Sequence, residues 1–409
     1  MTELPRIHDN RVSTDAPPVR GTQAASRSKP AVARKRRVLI VASTLHVGGA
    51  ERVMACLAKN IDRRRFDVSV CYLKENGVVG EEMQREGVEL LPLPGREYGK
   101  LDRLTFIKLR RLIQQRDFHL IHTHDMHGFM DGSACRLLTP RVRHIHTFHF
   151  GNYPHREPHF KRVERLFWRV PDALVAVGHA QAHSIRTLYD IPERRMRVLW
   201  NGVDAPVPRV SPVVQAAVDG CSDPIIGSIS TLIPQKGLHH LLEAAVKLRN
   251  RGARFRLLIV GGGPLQTQLQ EQAAQLGLDP QQVRFLGWIP EASDCALPAC
   301  DIFVQSSLWE AMSVVVLEAM AHGRPMVITR VGENPHVIED GKTGLLVPSA
   351  DSDALADALY RLLQDPEWAR RLGAAARVRH AERFQVRNMV EDYQALYDEI
   401  LGNPPTGTH

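Results

Sequence analysis

No apolar run in the 409 residues approaches the roughly 20 needed to cross a bilayer, which argues against an integral membrane protein. Residues 1–30 carry Pro, Ser and Arg but lack the apolar core of a secretory leader, so a cytoplasmic protein is expected. The six cysteines (Cys56, Cys71, Cys135, Cys221, Cys295 and Cys300) form no C-x-x-C pair and sit mostly in apolar runs, as free thiols do in a reducing compartment. Neither half opens with G-x-G-x-x-G after its first strand, so a dinucleotide oxidoreductase fits poorly. A body-wide charge of one sign is missing too. The net charge is +8, but residues 1–37 hold nine Arg/Lys against Glu3, Asp9 and Asp15, and only +2 is left for the rest. No nucleic-acid partner is expected. The tail ending in Arg34-Lys35-Arg36-Arg37 has the charge to touch anionic lipid or RNA, although a solvated, disordered arm is the plainer reading.

What is present is the balance of a folded soluble protein, 44% hydrophobic and 24% charged, over a length that suggests two domains. Val38-Leu39-Ile40-Val41-Ala42 predicts a strand, Gly48-Gly49 a turn, and Val53, Met54, Leu57 and Ala58 the apolar face of a helix. Strand and helix signals then alternate, with strands at 67–73, 119–123, 144–148 and 173–177. The alternation stops between Asp204 and Pro224, where Pro206, Pro208, Pro212 and Gly220 interrupt it, and restarts at Ile225. Strands follow at 225–230, 255–260, 283–286, 302–305, 325–328 and 344–347, and the stretch 353–400 reads as helical. The expected architecture is α/β: a basic tail (1–37), a first doubly wound domain (38–205), a linker (206–223), a second doubly wound domain (224–384) and a C-terminal helix crossing back with a short tail (385–409). Ligands of such sheets bind beyond the carboxyl ends of the strands, so two of them in tandem imply a ligand in the cleft between.

The strongest chemical signal is Ser306-Ser307-Leu308-Trp309-Glu310-Ala311-Met312-Ser313-Val314, leading to Glu318. Two glutamates stand eight positions apart, one on a strand-to-helix loop and one inside the helix. With Ser313 near the N-cap, the turn Ala311-Met312-Ser313-Val314 presents free N–H groups and a positive dipole end, which suits a diphosphate. Glu318, about one turn in, is placed to accept from vicinal hydroxyls such as those of a ribose, and Glu310 from the hydroxyls of a sugar beyond the phosphates. The plain alternative is a surface helix with two solvated carboxylates.

This E-x(7)-E element, continued by Glu318-Ala319-Met320-Ala321-His322-Gly323-Arg324-Pro325, resembles the donor-site signature of retaining GT-B glycosyltransferases of family 4. The resemblance runs from Val38 to about Phe384. It takes in Gly48-Gly49-Ala50-Glu51-Arg52, Asn201-Gly202-Val203-Asp204, Lys236-Gly237, Gly261-Gly262-Gly263-Pro264 and Asp340-Gly341-Lys342-Thr343-Gly344. It implies an N-terminal acceptor domain, a C-terminal nucleotide-sugar domain and a metal-independent enzyme that needs no cofactor. The donor would be a UDP- or GDP-linked hexose, and the acceptor a saccharide or lipid-linked saccharide used in polysaccharide or glycoconjugate synthesis. It also implies roles: Lys236 on the diphosphate, Gly48 and Gly49 letting backbone approach the phosphates, and His124 near the reacting face of the sugar.

The chain departs from the family at three places. Glu333 stands where a second glycine is usual and His336 where a glutamate is usual. Thr231 stands five residues before Lys236 where an arginine is common; losing that cation costs about 2–4 kcal/mol of leaving-group stabilisation unless something replaces it. Arg330 is one candidate replacement; alternatively Thr231 binds the donor through its hydroxyl and the helix N-terminus does the rest. The histidines 119, 122, 124, 127, 144, 146 and 149 raise a second reading, a metal-dependent hydrolase, although no Asp, Glu or Cys spacing completes a metal site. A third is a non-catalytic GT-B scaffold that binds a nucleotide sugar or a partner. Finally, the helix predicted over 105–115 sets Phe106, Ile107, Leu109, Leu112 and Ile113 against Lys108, Arg110 and Arg111. It suits either a core-facing helix with a basic outer side or peripheral contact with the anionic inner face of the membrane.

Overall fold

The computed structural model describes residues 35–93 and 104–402; the basic tail up to Arg34 and the C-terminal tail after Gly402 lie outside the described residues. Two parallel sheets organise the rest. The first runs β3-β2-β1-β4-β5-β6-β7, built from β1 (Arg36–Thr44), β2 (Phe66–Glu75), β3 (Glu89–Pro92), β4 (Leu120–Thr123), β5 (Arg143–Phe148), β6 (Ala173–Ala176) and β7 (Met196–Val198). The second runs β10-β9-β8-β11-β12-β13, built from β8 (Ile225–Ile229), β9 (Arg256–Val260), β10 (Val283–Gly287), β11 (Ile302–Gln305), β12 (Met326–Thr329) and β13 (Leu345–Val347). Helices cover both faces, so the central strands are apolar along their whole length: Val38 to Val41 are fully buried, as are Phe303 and Val304. In each sheet the strand order reverses once, between β1 and β4 and between β8 and β11. A crevice opens at the carboxyl end of each reversal.

One segment differs from expectation, and two others complete it. The Pro-rich stretch after Asp204 contains a helix, Pro212–Val218, whose Val214 and Ala217 are buried in the core around the second sheet. Its prolines start the helix instead of merely breaking the chain, because Pro212 occupies the first turn, where no intrahelical N–H is needed. The helix Thr105–Gln115 has the predicted bounds, but Leu109 and Ile113 are buried against the first sheet with Phe106 and Leu112 packed beside them. Its apolar side is therefore not available to a bilayer, and Arg110 and Arg116 bond Thr139 and Glu89. The helix Met126–Leu138, capped by Asp125 through the Gly128 N–H, gave no periodic signal because it turns Gly128, Asp131, Gly132 and Ser133 inward along with Phe129 and Cys135.

The last helix, Val386–Leu401, returns to the first domain. Val386, Met389, Val390, Tyr393, Leu396 and Tyr397 form its buried stripe against the helix Gly49–Asn60 and the first sheet. Among the described residues no helix is long and apolar enough to cross a membrane.

Candidate functional site

Both crevices open onto one cavity of about 600 Å3. Each wall is supplied by the segments that follow the switch-point strands. After β8 come Thr231, Gln235 and Lys236; after β11 comes the loop ending in Glu310, then the helix Val314–Ala321; after β1 come Gly48 and Gly49. Gly48, Gly49, Thr231, Lys236, Glu310, Ala311, Met312, Ser313, Val314 and Glu318 all line this cavity. His124 does not.

Glu310 is 7% exposed and held from several sides. Lys236 Nζ lies 2.6 Å from its Oε1, Ser307 Oγ donates to the same oxygen at 2.7 Å, and Gln235 Nε2 donates to Oε2 at 3.4 Å. Two glycines fix its backbone. A Cβ on Gly151, from the first domain, would collide with the Glu310 carbonyl carbon and the Ala311 nitrogen, and one on Gly332, at φ +53°, with the Glu310 carbonyl. Only a residue without a side chain lets the chain pass that close. Beside this, the Ser313 hydroxyl accepts from Gln305 Nε2 at 2.7 Å and caps nothing, so no side chain occupies the N-terminus of the helix Val314–Ala321. That end faces the cavity with its N–H groups and the positive end of its dipole.

Glu318 receives a hydrogen bond from Ser293 Oγ, in the short helix Ala292–Ala296 that follows β10. Burial pushes its carboxyl above the ordinary value; the Ser293 bond and the nearby Arg52 charge pull the other way. Thr231 lines the cavity, but Arg330 does not replace the missing arginine: it pairs with Asp340 at 2.8 Å, half exposed and outside the cavity wall.

His124 borders a smaller cavity of about 230 Å3 that shares Ala50, His149 and Phe150 with the large one. Its Nδ1 pairs with His149 Nε2 at 3.0 Å, while its buried Nε2 has no hydrogen-bond partner. The histidine patches fold into a packed polar layer. Thr123 Oγ1 lies 2.9 Å from both His144 Nε2 and His146 Nδ1, and His122 bridges Tyr397 and Thr147. Burial lowers five of them: His122, His124 and His146 well below the usual imidazole value, His149 to about 4 and His144 to about 3. Neutral rings fill this space. No three of them bring ligand atoms together for a metal. Among the described residues that happens at His179, Glu333 and His336, within 4.8 Å of one another. There, however, Glu333 already accepts from His179 Nδ1 and Trp200 Nε1 at 2.8 Å each and from the Ala180 N–H at 3.2 Å.

Several contributors gave no sequence signal of their own. Ser293 and Gly151 meet the site across 25 and more residues of chain, and Ser307 and Gln235 are legible only as polar neighbours of Glu310 and Lys236.

Comparison with known proteins bears on both halves. Residues 220–379 match the family described as "Glycosyl transferases group 1", and residues 47–206 match "Glycosyltransferase Family 4". The D-inositol 3-phosphate glycosyltransferase of Corynebacterium urealyticum is 31% identical over 319 residues, 71% of this chain and 73% of that protein. The O-antigen chain mannosyltransferase C of Escherichia coli is 26% identical over 379 residues, 89% of this chain and 99% of that one. In fold, the crystal structure of Anabaena HepE in complex with UDP and glucose superposes with a TM-score of 0.78 at 20% identity, covering 89% of this chain and all of that one.

Proposed function

The chain belongs to the group 1 glycosyltransferases and has their GT-B fold; from that premise we propose that it moves a hexosyl group from a UDP- or GDP-sugar to a hydroxyl of a saccharide or lipid-linked saccharide, without a metal and with retention of anomeric configuration. The observation that carries this reading is the convergence of Lys236, Glu310 and the open N-terminus of the helix Val314–Ala321 on one interdomain cavity. A glycosyl diphosphate needs these three things at adjacent points: a cation for the phosphate, an acceptor for sugar hydroxyls and oriented N–H groups for the second phosphate.

In the reaction, the bond between the sugar C1 and the phosphate oxygen breaks as the acceptor oxygen bonds C1 on the same face. The acceptor proton passes to the departing phosphate oxygen. Lys236 and the helix end stabilise the charge that develops on the diphosphate. Glu310 holds the sugar and is assigned no nucleophilic role; its Oε1 is engaged by Lys236 and Ser307. Glu318 takes the ribose hydroxyls. Gly48 and Gly49 bring the first domain's backbone to the phosphates, and His124, with its unpartnered Nε2, serves the acceptor side from the adjoining cavity. An acceptor in polysaccharide or glycoconjugate synthesis agrees with relatives such as the O-antigen mannosyltransferase. Contact with anionic membrane, on this reading, falls to the basic outer side of the helix Thr105–Gln115.

A panel of UDP- and GDP-sugars tested for protection against thermal unfolding identifies the donor, and transfer is then followed with and without chelator. Glu310→Ala and Lys236→Ala are expected to lower turnover by at least about 100-fold with the fold intact. Wild-type rates in either variant overturn the assignment.

A further inference from the structure

With Thr231 in place of the usual cation and Arg330 paired elsewhere, the donor diphosphate, carrying two to three negative charges, faces one lysine on the second domain's wall. The first domain supplies what is missing. We infer that Arg52 is the second diphosphate ligand and binds the nucleoside-proximal phosphate. This rests on the donor-site reading above.

Arg52 sits in the first turn of the helix Gly49–Asn60 and lines the cavity. The start of that helix abuts the start of Val314–Ala321: a Cβ on Gly49 would lie 3.6 Å from Val314 Cγ2, and Val314 packs against the first domain's core. The helix that carries Arg52 therefore starts beside the second domain's helix end. Its nearest acid is Glu82, at 3.7 Å, a loose contact with the arginine side chain 36% exposed. The other first-domain cation on the wall, Lys59, is closely held by Glu86 at 2.5 Å. Lys236 and Arg52 are also separated in role. Lys236 is bound to Glu310, at the sugar end, whereas the Arg52 charge acts on Glu318, at the ribose end. A planar guanidinium binds two phosphate oxygens at once, which a lysine does not.

The position makes a prediction that a diffuse electrostatic effect would not. A nucleoside monophosphate retains only the ribose-side phosphate, so it should depend on Arg52 and not on Lys236. Titration calorimetry of UMP, UDP, GMP and GDP is run against the full chain and the variants Arg52→Ala, Arg52→Lys, Lys59→Ala and Lys236→Ala, with folding checked by melting. Arg52→Ala is expected to weaken both the mono- and the diphosphate of the preferred base by about 10- to 100-fold, with Arg52→Lys intermediate. Lys236→Ala should weaken the diphosphate but leave the monophosphate within about threefold. If the wild-type chain binds nucleotide and Arg52→Ala binds it equally well, or Lys59→Ala alone carries the loss, the inference falls while the donor site stands. If the wild-type chain binds none of the four, the donor-site reading falls and takes this inference with it.

Discussion

His122, His124, His144, His146 and His149 lie buried in the first domain, and burial holds each of them below the ordinary imidazole value. The folded protein therefore keeps them neutral, whereas the unfolded chain takes up protons on them below about pH 6.5. Their contribution to stability is complete above that value. It falls with the pH as the unfolded state gains protons, until the folded values are reached, near 4 for His149 and near 3 for His144. Each such group contributes a slope of about 1.4 kcal/mol per pH unit in this window. His146 stacks on Phe129 at 4.2 Å between ring centroids, so a phenyl ring there is sterically reasonable. His146→Phe is expected to reduce the slope of unfolding free energy between pH 6.5 and 5 by that one increment, read from urea titrations at several pH values. An unchanged slope would show that His146 takes up its proton in the folded state as well. The same neutrality fits the role given to His124, since an uncharged imidazole with a free nitrogen can take or give one hydrogen bond to a hydroxyl.

At the scale of elements, the last helix is the part of the second half of the chain that belongs to the first domain's core. Tyr397 OH lies 2.7 Å from His122 Nδ1, and Tyr393 OH 3.2 Å from Thr147 Oγ1, so two hydroxyls satisfy polar groups on the central strands. Tyr397→Phe removes one hydroxyl and leaves the imidazole nitrogen unpaired in the interior. The expected loss is about 1–3 kcal/mol in chemical denaturation, with near-wild-type donor binding; undiminished stability would mean that water reaches the site. The alternation of this fold is legible in sequence because strands covered on both faces read as continuous apolar runs, as Val38–Ala42 and Ile302–Val304 do. Helices that pack through small or polar residues do not read this way. Met126–Leu138 turns glycines and Asp131 inward, and Pro158–Phe167 buries Glu164, which accepts from Tyr153 and Tyr189. Glu310, Glu318 and Lys236 are readable because each follows a switch-point strand at short range, β11 for the glutamates and β8 for the lysine. Gly151 and Glu333 are not, since their purpose is contact with residues more than 150 positions away.

Through Glu333 that long-range contact joins the two domains one residue from Glu310. Glu333, fully buried, reaches from the second domain to the start of the helix His179–Tyr189, whose N-cap, Gly178, offers no side chain. Its carboxylate serves instead as the cap, accepting from the Ala180 N–H, His179 Nδ1 and Trp200 Nε1. Burial pushes this carboxyl up, but those bonds outweigh it and hold it below the ordinary glutamate value. The latch therefore contributes in full above about pH 4.3 and is lost as pH falls through the lower, folded value. It also touches the donor side directly, because the Glu333 N–H donates to the Ala311 carbonyl at 3.0 Å, one residue beyond Glu310. A glycine at 333 would leave the helix start uncapped, so the departure from the family pattern is a gain of interdomain contact. Glu333→Gln keeps the shape and removes the charge, turning one donor toward donors. It is expected to lower the melting temperature by about 4–8 °C at neutral pH, and to raise the radius of gyration in small-angle scattering. Nucleotide diphosphate affinity should fall although no ligand atom is touched. The difference between the variant and the wild-type chain should shrink as the pH falls below about 4.3, because the unfolded chain then takes up a proton that the folded Glu333 does not. A variant that melts and scatters like wild type at neutral pH would mean that packing of Trp200 and Val203 holds the domains together without this carboxylate.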